Sequence, residues 1–141
     1  MNRTRLYAAA LGIAALASGA AFAAEPAKAP TDKAAASYVH VVIFHVKKDA
    51  PADAVGEIIA GCHTLEAIPT VRLLKVGRPA SVDDSTPKVA AHDYDVALTV
   101  LFDDAAGLKT YLVHETHLKF VHTYDKYFET VQVYDFVDQN K

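Results

Sequence analysis

Histidines are the residues of this chain best suited to chemistry. The sequence has seven of them in 141 residues. A histidine titrates near neutral pH, so its side chain can accept or donate a proton. His114 and His117 are three residues apart, and a continuous helix would place both on one face. His40 lies at the start of a predicted strand, on the same side as Val42 and Phe44. These positions make the three histidines candidates for proton transfer or for ligand binding.

The same histidines allow a second interpretation, which is a metal site. His114, Glu115, His117 and His122 cluster in the sequence, and imidazole suits zinc or copper. The segment HETH is one residue short of H-E-x-x-H, so it is not the metalloprotease motif. Glu115 is adjacent to His114 and therefore points elsewhere on a helix. We assign neither a metal nor a cofactor from the sequence.

The first 37 residues precede the predicted domain. Residues 1–23 combine a positive start, an Ala-rich apolar run over Leu6–Ala17 and a small-x-small pattern at Ala21–Ala23. This layout is typical of a secretory signal peptide. We therefore predict a periplasmic or secreted protein with no stable membrane insertion after cleavage, and a retained N-terminal anchor is the alternative. Residues 24–37 show no core-forming period and predict a flexible linker.

The composition favours one globular domain. The chain is 52% hydrophobic and 22% charged, with a formal net charge of −3. This mild acidity argues against nucleic acid as a partner, because that binding depends on clustered Lys and Arg. The single cysteine, Cys62, excludes a disulfide scaffold. Cys62 is either buried and inert or the site of an intermolecular disulfide, and its place on an apolar helix stripe favours burial.

Four strands and two helical regions are predicted after the linker. Runs rich in β-branched and aromatic residues predict strands, and apolar residues at a spacing of 3.6 predict helices. A segment with two prolines and no periodicity predicts a long loop, which is either disordered or part of a binding rim. In chain order the segments are a strand Tyr38–Lys47, a helix between Asp49 and Pro69, a strand Val71–Gly77, the loop Arg78–His92, a strand Tyr94–Phe102, a helix Ala105–Val113, a helical stretch His114–Tyr127 that continues or kinks away from it, and a strand Thr130–Val137.

The order β-α-β-β-α-β predicts a ferredoxin-like α+β fold with a four-stranded antiparallel sheet. Both helical regions would pack on one face of this sheet. The first and third strands carry apolar residues on both faces, so a single subunit would expose a large apolar surface. We therefore predict a homodimer in which two open sheet faces pack together as a dimeric α+β barrel.

Four segments carry a resemblance to a known family. They are VHVVIFHVK, LEAIPTVRLLKVG, YDVALTVLFDD and LKTYLVHETHLKFV. The last three are similar to the patterns L-x-x-I-P-x-V…x-V-G, YD-x-A-L-x-x-x-F and Y-x-x-H-P-x-H of the stress-responsive dimeric α/β barrel (Dabb) domain. The resemblance covers about Tyr38–Asp138 and places the domain at residues 38–138. It implies a ferredoxin-like subunit that dimerises through its sheet, and it does not imply one activity.

One branch of this family implies catalytic residues. The plant polyketide cyclases similar to olivetolic acid cyclase use a tyrosine and a histidine of the Y-x-x-H-P-x-H block and a histidine on the first strand. Tyr111, His117 and His40 occupy the matching positions, whereas Glu115 and Val96 replace a family proline and a cyclase histidine. In this scheme His117 takes a proton next to a carbonyl and Tyr111 stabilises the enolate oxygen. His40 orients the ligand or His117.

The sequence leaves three functions open. The first is binding of a small apolar or aromatic molecule in a cavity between helices and sheet. The second is a cofactor-independent cyclase or lyase-like enzyme with Tyr111 and His117 as its acid–base pair. The third is a structural or interaction protein without a ligand. A cavity containing both residues would favour the first two, and turnover would separate them. The predicted ligand-binding residues are Val42, Phe44, Val96 and His114.

Overall fold

A computed structural model of the chain describes residues 36–83 and 85–139. The predicted signal peptide and residues 24–35 of the predicted linker lie outside these ranges. The last two linker residues pack against the domain: Ala36 is buried, and the Ser37 hydroxyl donates to the Asp103 carbonyl oxygen at 2.9 Å. Among the helices described, none is long and apolar enough to span a membrane.

The architecture is the predicted ferredoxin-like α+β fold. The sheet is antiparallel with the strand order β2-β3-β1-β4, and the helices pack on one of its faces. Cys62 is fully buried in that core as predicted, and burial raises the pKa of its thiol to about 12. The elements are β1 Tyr38–Val46, α1 Ala54–Thr64, β2 Leu73–Gly77, β3 Val96–Phe102, α2 Ala105–Val113, α3 Glu115–Tyr124 and β4 Phe128–Val137, with 3₁₀ turns at Leu65–Ala67 and Asp125–Tyr127.

Several element bounds differ from the predicted ones for local reasons. Helix α1 begins at Ala54 rather than near Asp49, because two turns come first: the Ala50 N–H donates to Lys47 and the Ala54 N–H to Pro51. Strand β4 begins two residues earlier than predicted because the register shifts beside Val46, which pairs with Phe128. A bulge of this kind has no periodic signature in the sequence.

The two acidic residues before α2, Asp103 and Asp104, make different contacts. The Asp104 carboxylate accepts the Gly107 N–H at 2.9 Å and is the N-cap of α2. The Asp103 carboxylate instead accepts hydrogen bonds from the Arg72 guanidinium, and this pair lowers the pKa of Asp103.

The helical stretch after α2 kinks at His114. This residue has extended backbone angles, φ −66° and ψ 139°, and its Nδ1 accepts the Thr116 N–H at 3.2 Å. His114 is thus the N-cap of α3. The shared face that a continuous helix would give His114 and His117 is therefore not formed.

Gly61 allows α1 to approach Tyr124 of α3. A Cβ at position 61 would lie 2.3 Å from Cε2 of Tyr124, whereas a Cβ at Gly56 of the same helix meets nothing within 4 Å. We expect Gly61→Ala to lower the free energy of unfolding by about 1–3 kcal/mol, because the ring must leave its place. Gly56→Ala is the matched control and should stabilise by up to about 1 kcal/mol through helix propensity. Urea denaturation measures both, and equal effects would contradict the contact.

Candidate functional site

A cavity of about 260 Å³ lies between the sheet and the helices α2 and α3. Its walls are mostly aliphatic and aromatic, and its polar groups are two imidazoles and one phenol. None of the described residues of the long loop Arg78–His92 lines it, so this loop is not the rim of the cavity. The lining residues are His40, Val42, Phe44, Leu98, Tyr111, Leu112, His117, Phe120, Val121, Phe128, Val131 and Val133.

The alternation of β1 explains why one wall of the cavity carries a histidine. His40, Val42 and Phe44 lie on the helix side of the sheet, because successive side chains of a strand point to opposite faces. Tyr111 lies in the last turn of α2, and His117 lies in the first turn of α3. The kink between these helices brings the tyrosine and this histidine together over the strand.

Five of the seven predicted site residues line this cavity, and two do not. Val96 is completely buried in the core, paired with Phe44 across β1 and β3. His114 has its Nδ1 engaged in the N-cap of α3. The residues brought together are His40, Val42, Phe44, Tyr111 and His117.

His40 forms a close pair with a carboxylate. Its Nδ1 lies 2.7 Å from Oδ1 of Asp135, which faces it on the neighbouring strand β4. The His40 side chain is only 7% exposed, whereas that of Asp135 is 35% exposed, so the imidazole is shielded from water and the carboxylate stays partly hydrated. An ionised carboxylate accepts the Nδ1–H, which leaves Nε2 as the free nitrogen of the neutral ring. His40 is thus oriented as histidine bases commonly are, by an acidic partner.

His117 is held in the same tautomer by the backbone. Its Nδ1–H donates to the Leu112 carbonyl oxygen at 3.0 Å, so a neutral ring has its lone pair on Nε2. The Tyr111 ring packs against both histidines, with its centroid 4.6 Å from that of His117 and 6.0 Å from that of His40. One phenol ring therefore neighbours two imidazoles.

Burial sets the protonation states of these groups. Desolvation raises the pKa of Tyr111, with a further contribution from the neighbouring Cys62. Its phenol consequently stays a hydrogen-bond donor at physiological pH. Burial lowers the pKa of His117 below its ordinary value; the hydrogen bond to Leu112 opposes this, and His40 lowers the pKa further. His117 is therefore a neutral proton acceptor near pH 7.

A titration tests the coupling between the two histidines. We expect the pKa of His117 to lie below 6.5 in the native protein and to rise in His40→Gln, because that change removes the electrostatic contribution of His40 that lowers the pKa of His117. The pKa of His117 is lower in the folded protein than in the unfolded chain. The contribution of this difference to the free energy of unfolding is therefore present above pH 6.5 and is lost as the pH falls through the folded pKa. NMR of the imidazole protons measures the shift. His63→Gln, at an exposed position on α1, is the control, and an equal change there would contradict the coupling.

The histidine cluster does not converge on one point. Within residues 36–83 and 85–139, no group of three or more His, Cys, Asp or Glu side chains is placed to hold a metal ion. The Nδ1 atoms of His114 and His117 are already engaged with backbone groups. His122 is an exposed residue later in α3. The metal interpretation thus finds no support in this geometry.

Sequence reasoning missed Asp135 and the Leu112 carbonyl. Asp135 lies on the same side of β4 as Val131 and Val133, so an acid in an otherwise apolar alternation was the available signal. Its partner could not be identified without the strand register. The Leu112 carbonyl oxygen accepts the hydrogen bond of His117, and side-chain types cannot reveal such a backbone acceptor.

Solved structures with this fold come from several organisms. A dimeric ferredoxin-like protein of unknown function from Thermobifida fusca is 21% identical, with 72% of this chain and 91% of that chain covered and a TM-score of 0.59. The hydroxynitrile lyase of Passiflora edulis is 20% identical, covers 76% and 97%, and has a TM-score of 0.61. A Dabb family protein with a ferredoxin-like fold from Mesorhizobium loti is 22% identical, covers 74% and 99%, and has a TM-score of 0.58. At these identities the likeness shows the fold.

A family model agrees with the architecture. The model of the stress responsive A/B barrel domain matches residues 39–138, and no curated protein matches the sequence. The family match covers nearly the whole described domain and confirms the resemblance carried by the four sequence segments. The chain belongs to the stress responsive A/B barrel domain family.

Proposed function

We propose that this protein binds a small, mostly apolar or aromatic carbonyl compound and moves a proton on it without a cofactor. The observation that carries this proposal is the pair of imidazoles that pack against Tyr111 in an apolar cavity. Each imidazole has its Nδ1 engaged, His40 by Asp135 and His117 by Leu112. Each neutral ring therefore keeps Nε2 as an acceptor.

The cavity walls support the choice of ligand. A volume of about 260 Å³ lies just below the range of about 300–1,000 Å³ typical of drug-sized ligands, so the ligand is small. Among the residues that the structure describes, no lysine or arginine lines the cavity, and the Asp135 carboxylate is engaged by His40. An apolar body with a single polar group fits such walls.

The reaction follows from the protonation states. Nε2 of His117 takes a proton from the carbon next to the carbonyl, and the C–H electron pair moves to give an enolate. The Tyr111 hydroxyl donates a hydrogen bond to the enolate oxygen, where the negative charge develops. The imidazolium of His117 then returns the proton to carbon or to a leaving group. His40, held by Asp135, orients the ligand. A solved relative with this fold is a hydroxynitrile lyase, which accords with proton transfer in such a cavity.

Proton exchange tests this function directly. The protein is incubated with phenylacetone in D₂O, and deuterium uptake next to the carbonyl is followed by NMR. We expect uptake above the buffer rate, lost on active-site substitution. Native mass spectrometry of the purified protein identifies any ligand retained from the cell. A retained or saturable ligand without exchange on any carbonyl probe would reduce the function to binding, and neither binding nor exchange would overturn the proposal.

Dimerisation and export complete the proposal. The homodimer is supported by the apolar open face of the sheet and by solved relatives that are dimeric. Export is supported by the signal-peptide pattern of residues 1–23. Sedimentation of the purified protein tests the dimer. N-terminal sequencing of the protein recovered from the producing cells tests export, since cleavage predicts a mature chain that begins at Ala24.

A further inference from the structure

The kink between α2 and α3 changes the acceptor that the Thr116 N–H uses. In a continuous α-helix each N–H donates to the carbonyl oxygen four residues earlier, so the Thr116 N–H would donate to Leu112. In this structure it donates to Nδ1 of His114 at 3.2 Å. The Leu112 carbonyl oxygen instead accepts the Nδ1–H of His117 at 3.0 Å. The two bonds are linked, because a Thr116 N–H that returned to Leu112 would compete with His117 for that oxygen.

We propose that His114 is a positioning residue for His117. By accepting the Thr116 N–H, the imidazole of His114 begins α3 and leaves the Leu112 carbonyl oxygen to hold the ring of His117. The consequence for proton transfer rests on the proposed function, whereas the effect on the ring of His117 does not. His114 thereby shapes the candidate site although it does not line the cavity.

The hydrogen bond of His114 fits this role and not that of a proton acceptor. Because its Nδ1 accepts an N–H, the neutral ring of His114 has its proton on Nε2. The rings of His40 and His117 have the opposite tautomer, with Nδ1 as the donor. His114 could take up a proton at Nδ1 only by giving up the N-cap of α3. Its effect on the site therefore passes through the backbone of α3.

The backbone at the kink allows a different side chain to replace the imidazole. His114 has extended backbone angles, φ −66° and ψ 139°, which are those that an N-cap residue adopts. Asparagine is among the best N-cap residues, whereas alanine is a poor N-cap and the best helix former. His114→Asn should therefore keep the kink, and His114→Ala should favour one continuous helix in which the Thr116 N–H donates to Leu112.

A proline at position 115 should enforce the same kink without any cap. Glu115 is the first residue of α3, a position where proline is tolerated because the N–H has no partner within the helix. The residue before a proline is driven to the extended angles that His114 already has. In a continuous helix the proline ring would clash with the Tyr111 carbonyl. His114→Ala/Glu115→Pro is thus expected to restore the kink that His114→Ala loses.

NMR of the histidine ring nitrogens tests the positioning without any ligand, at a pH where the rings are neutral. We expect the Nδ1–H tautomer of His117 in the native protein and in His114→Asn. His114→Ala should lose most of that tautomer, and His114→Ala/Glu115→Pro should recover it. His122→Ala, at an exposed position later in α3, is the control and should leave the tautomer of His117 unchanged. Circular dichroism checks that each variant is folded.

Deuterium uptake measures what the positioning contributes to the proposed reaction. We expect His114→Ala to lower the rate by about 10–10²-fold, which is the cost of misplacing a catalytic group by roughly 1 Å. The loss should appear in kcat with little change in KM, because His114 does not line the cavity. His114→Asn and His114→Ala/Glu115→Pro should stay close to the native rate.

Each result decides the proposal. An unchanged tautomer of His117 in folded His114→Ala overturns it. Equal losses in His114→Asn and His114→Ala also overturn it, because the imidazole itself would then be needed, and so does a folded His114→Ala/Glu115→Pro that does not recover the tautomer. If the tautomers change as expected but the native protein shows no uptake, the positioning stands and the reaction is rejected. Native uptake in a His114→Ala protein with a changed tautomer leaves the positioning and rejects His117 as the base.

Discussion

His117→Ala is expected to lower the rate of deuterium uptake by about 10²–10⁴-fold, which is the usual contribution of a positioned general base. The imidazole is the acceptor whose Nε2 is free, since its Nδ1–H is bonded to the Leu112 carbonyl oxygen at 3.0 Å. Its lowered pKa keeps it unprotonated at neutral pH. The loss should appear in kcat, because the proton moves in the chemical step.

Tyr111→Phe should lower the rate of deuterium uptake by about 10²–10³-fold, since it removes one hydrogen-bond donor to an oxyanion. The ring and its packing against His117 and Phe102 are kept, so the effect isolates the hydroxyl. His122→Ala, at an exposed position of the same helix α3, is the control for His117→Ala. If His117→Ala and His122→Ala had the same rate, proton transfer by His117 would be rejected.

The sequence predicted the fold well because periodicity is a local property. Successive side chains of a strand point to opposite faces, so His40, Val42 and Phe44 could be assigned to one side of β1 before their neighbours were known. The kink at His114 is different. It depends on a competition between helix continuation and an Asx-like cap made by the imidazole, and both outcomes fit the same residues. The sequence analysis accordingly left both open.

The charge partner of His40 shows where sequence reasoning ends. Asp135 is 95 residues away in the chain, and only the strand register between β1 and β4 places it opposite His40. A shift of one residue would turn that carboxylate to the other face of the sheet. Val96 is a second residue whose place could not be predicted from the sequence. Its position facing the helices was predictable, but whether that position is core or cavity depends on how α1 and α3 pack above it.

Phe102→Ala is expected to lower the free energy of unfolding by about 3–5 kcal/mol, a large share of the roughly 5–15 kcal/mol that holds a typical domain folded. The ring is completely buried at the end of β3, and its centroid is 5.1 Å from that of Tyr111. Deleting it leaves a cavity directly beneath the candidate site. Urea denaturation followed by circular dichroism measures the loss, and Val89→Ala, at an exposed loop position, should change stability by less than about 0.5 kcal/mol.

The same substitution separates support of the site from its chemistry. Phe102→Leu keeps most of the buried volume, so its loss of stability should be clearly smaller than that of Phe102→Ala. Because the Phe102 ring also lies 6.5 Å from that of His40, removing it frees Tyr111 to leave its place next to the two imidazoles. Deuterium uptake by folded Phe102→Ala should therefore fall more than that of Phe102→Leu, although neither changes an acid or a base. Equal stability of the two variants would mean that the end of β3 is not the rigid base of the site.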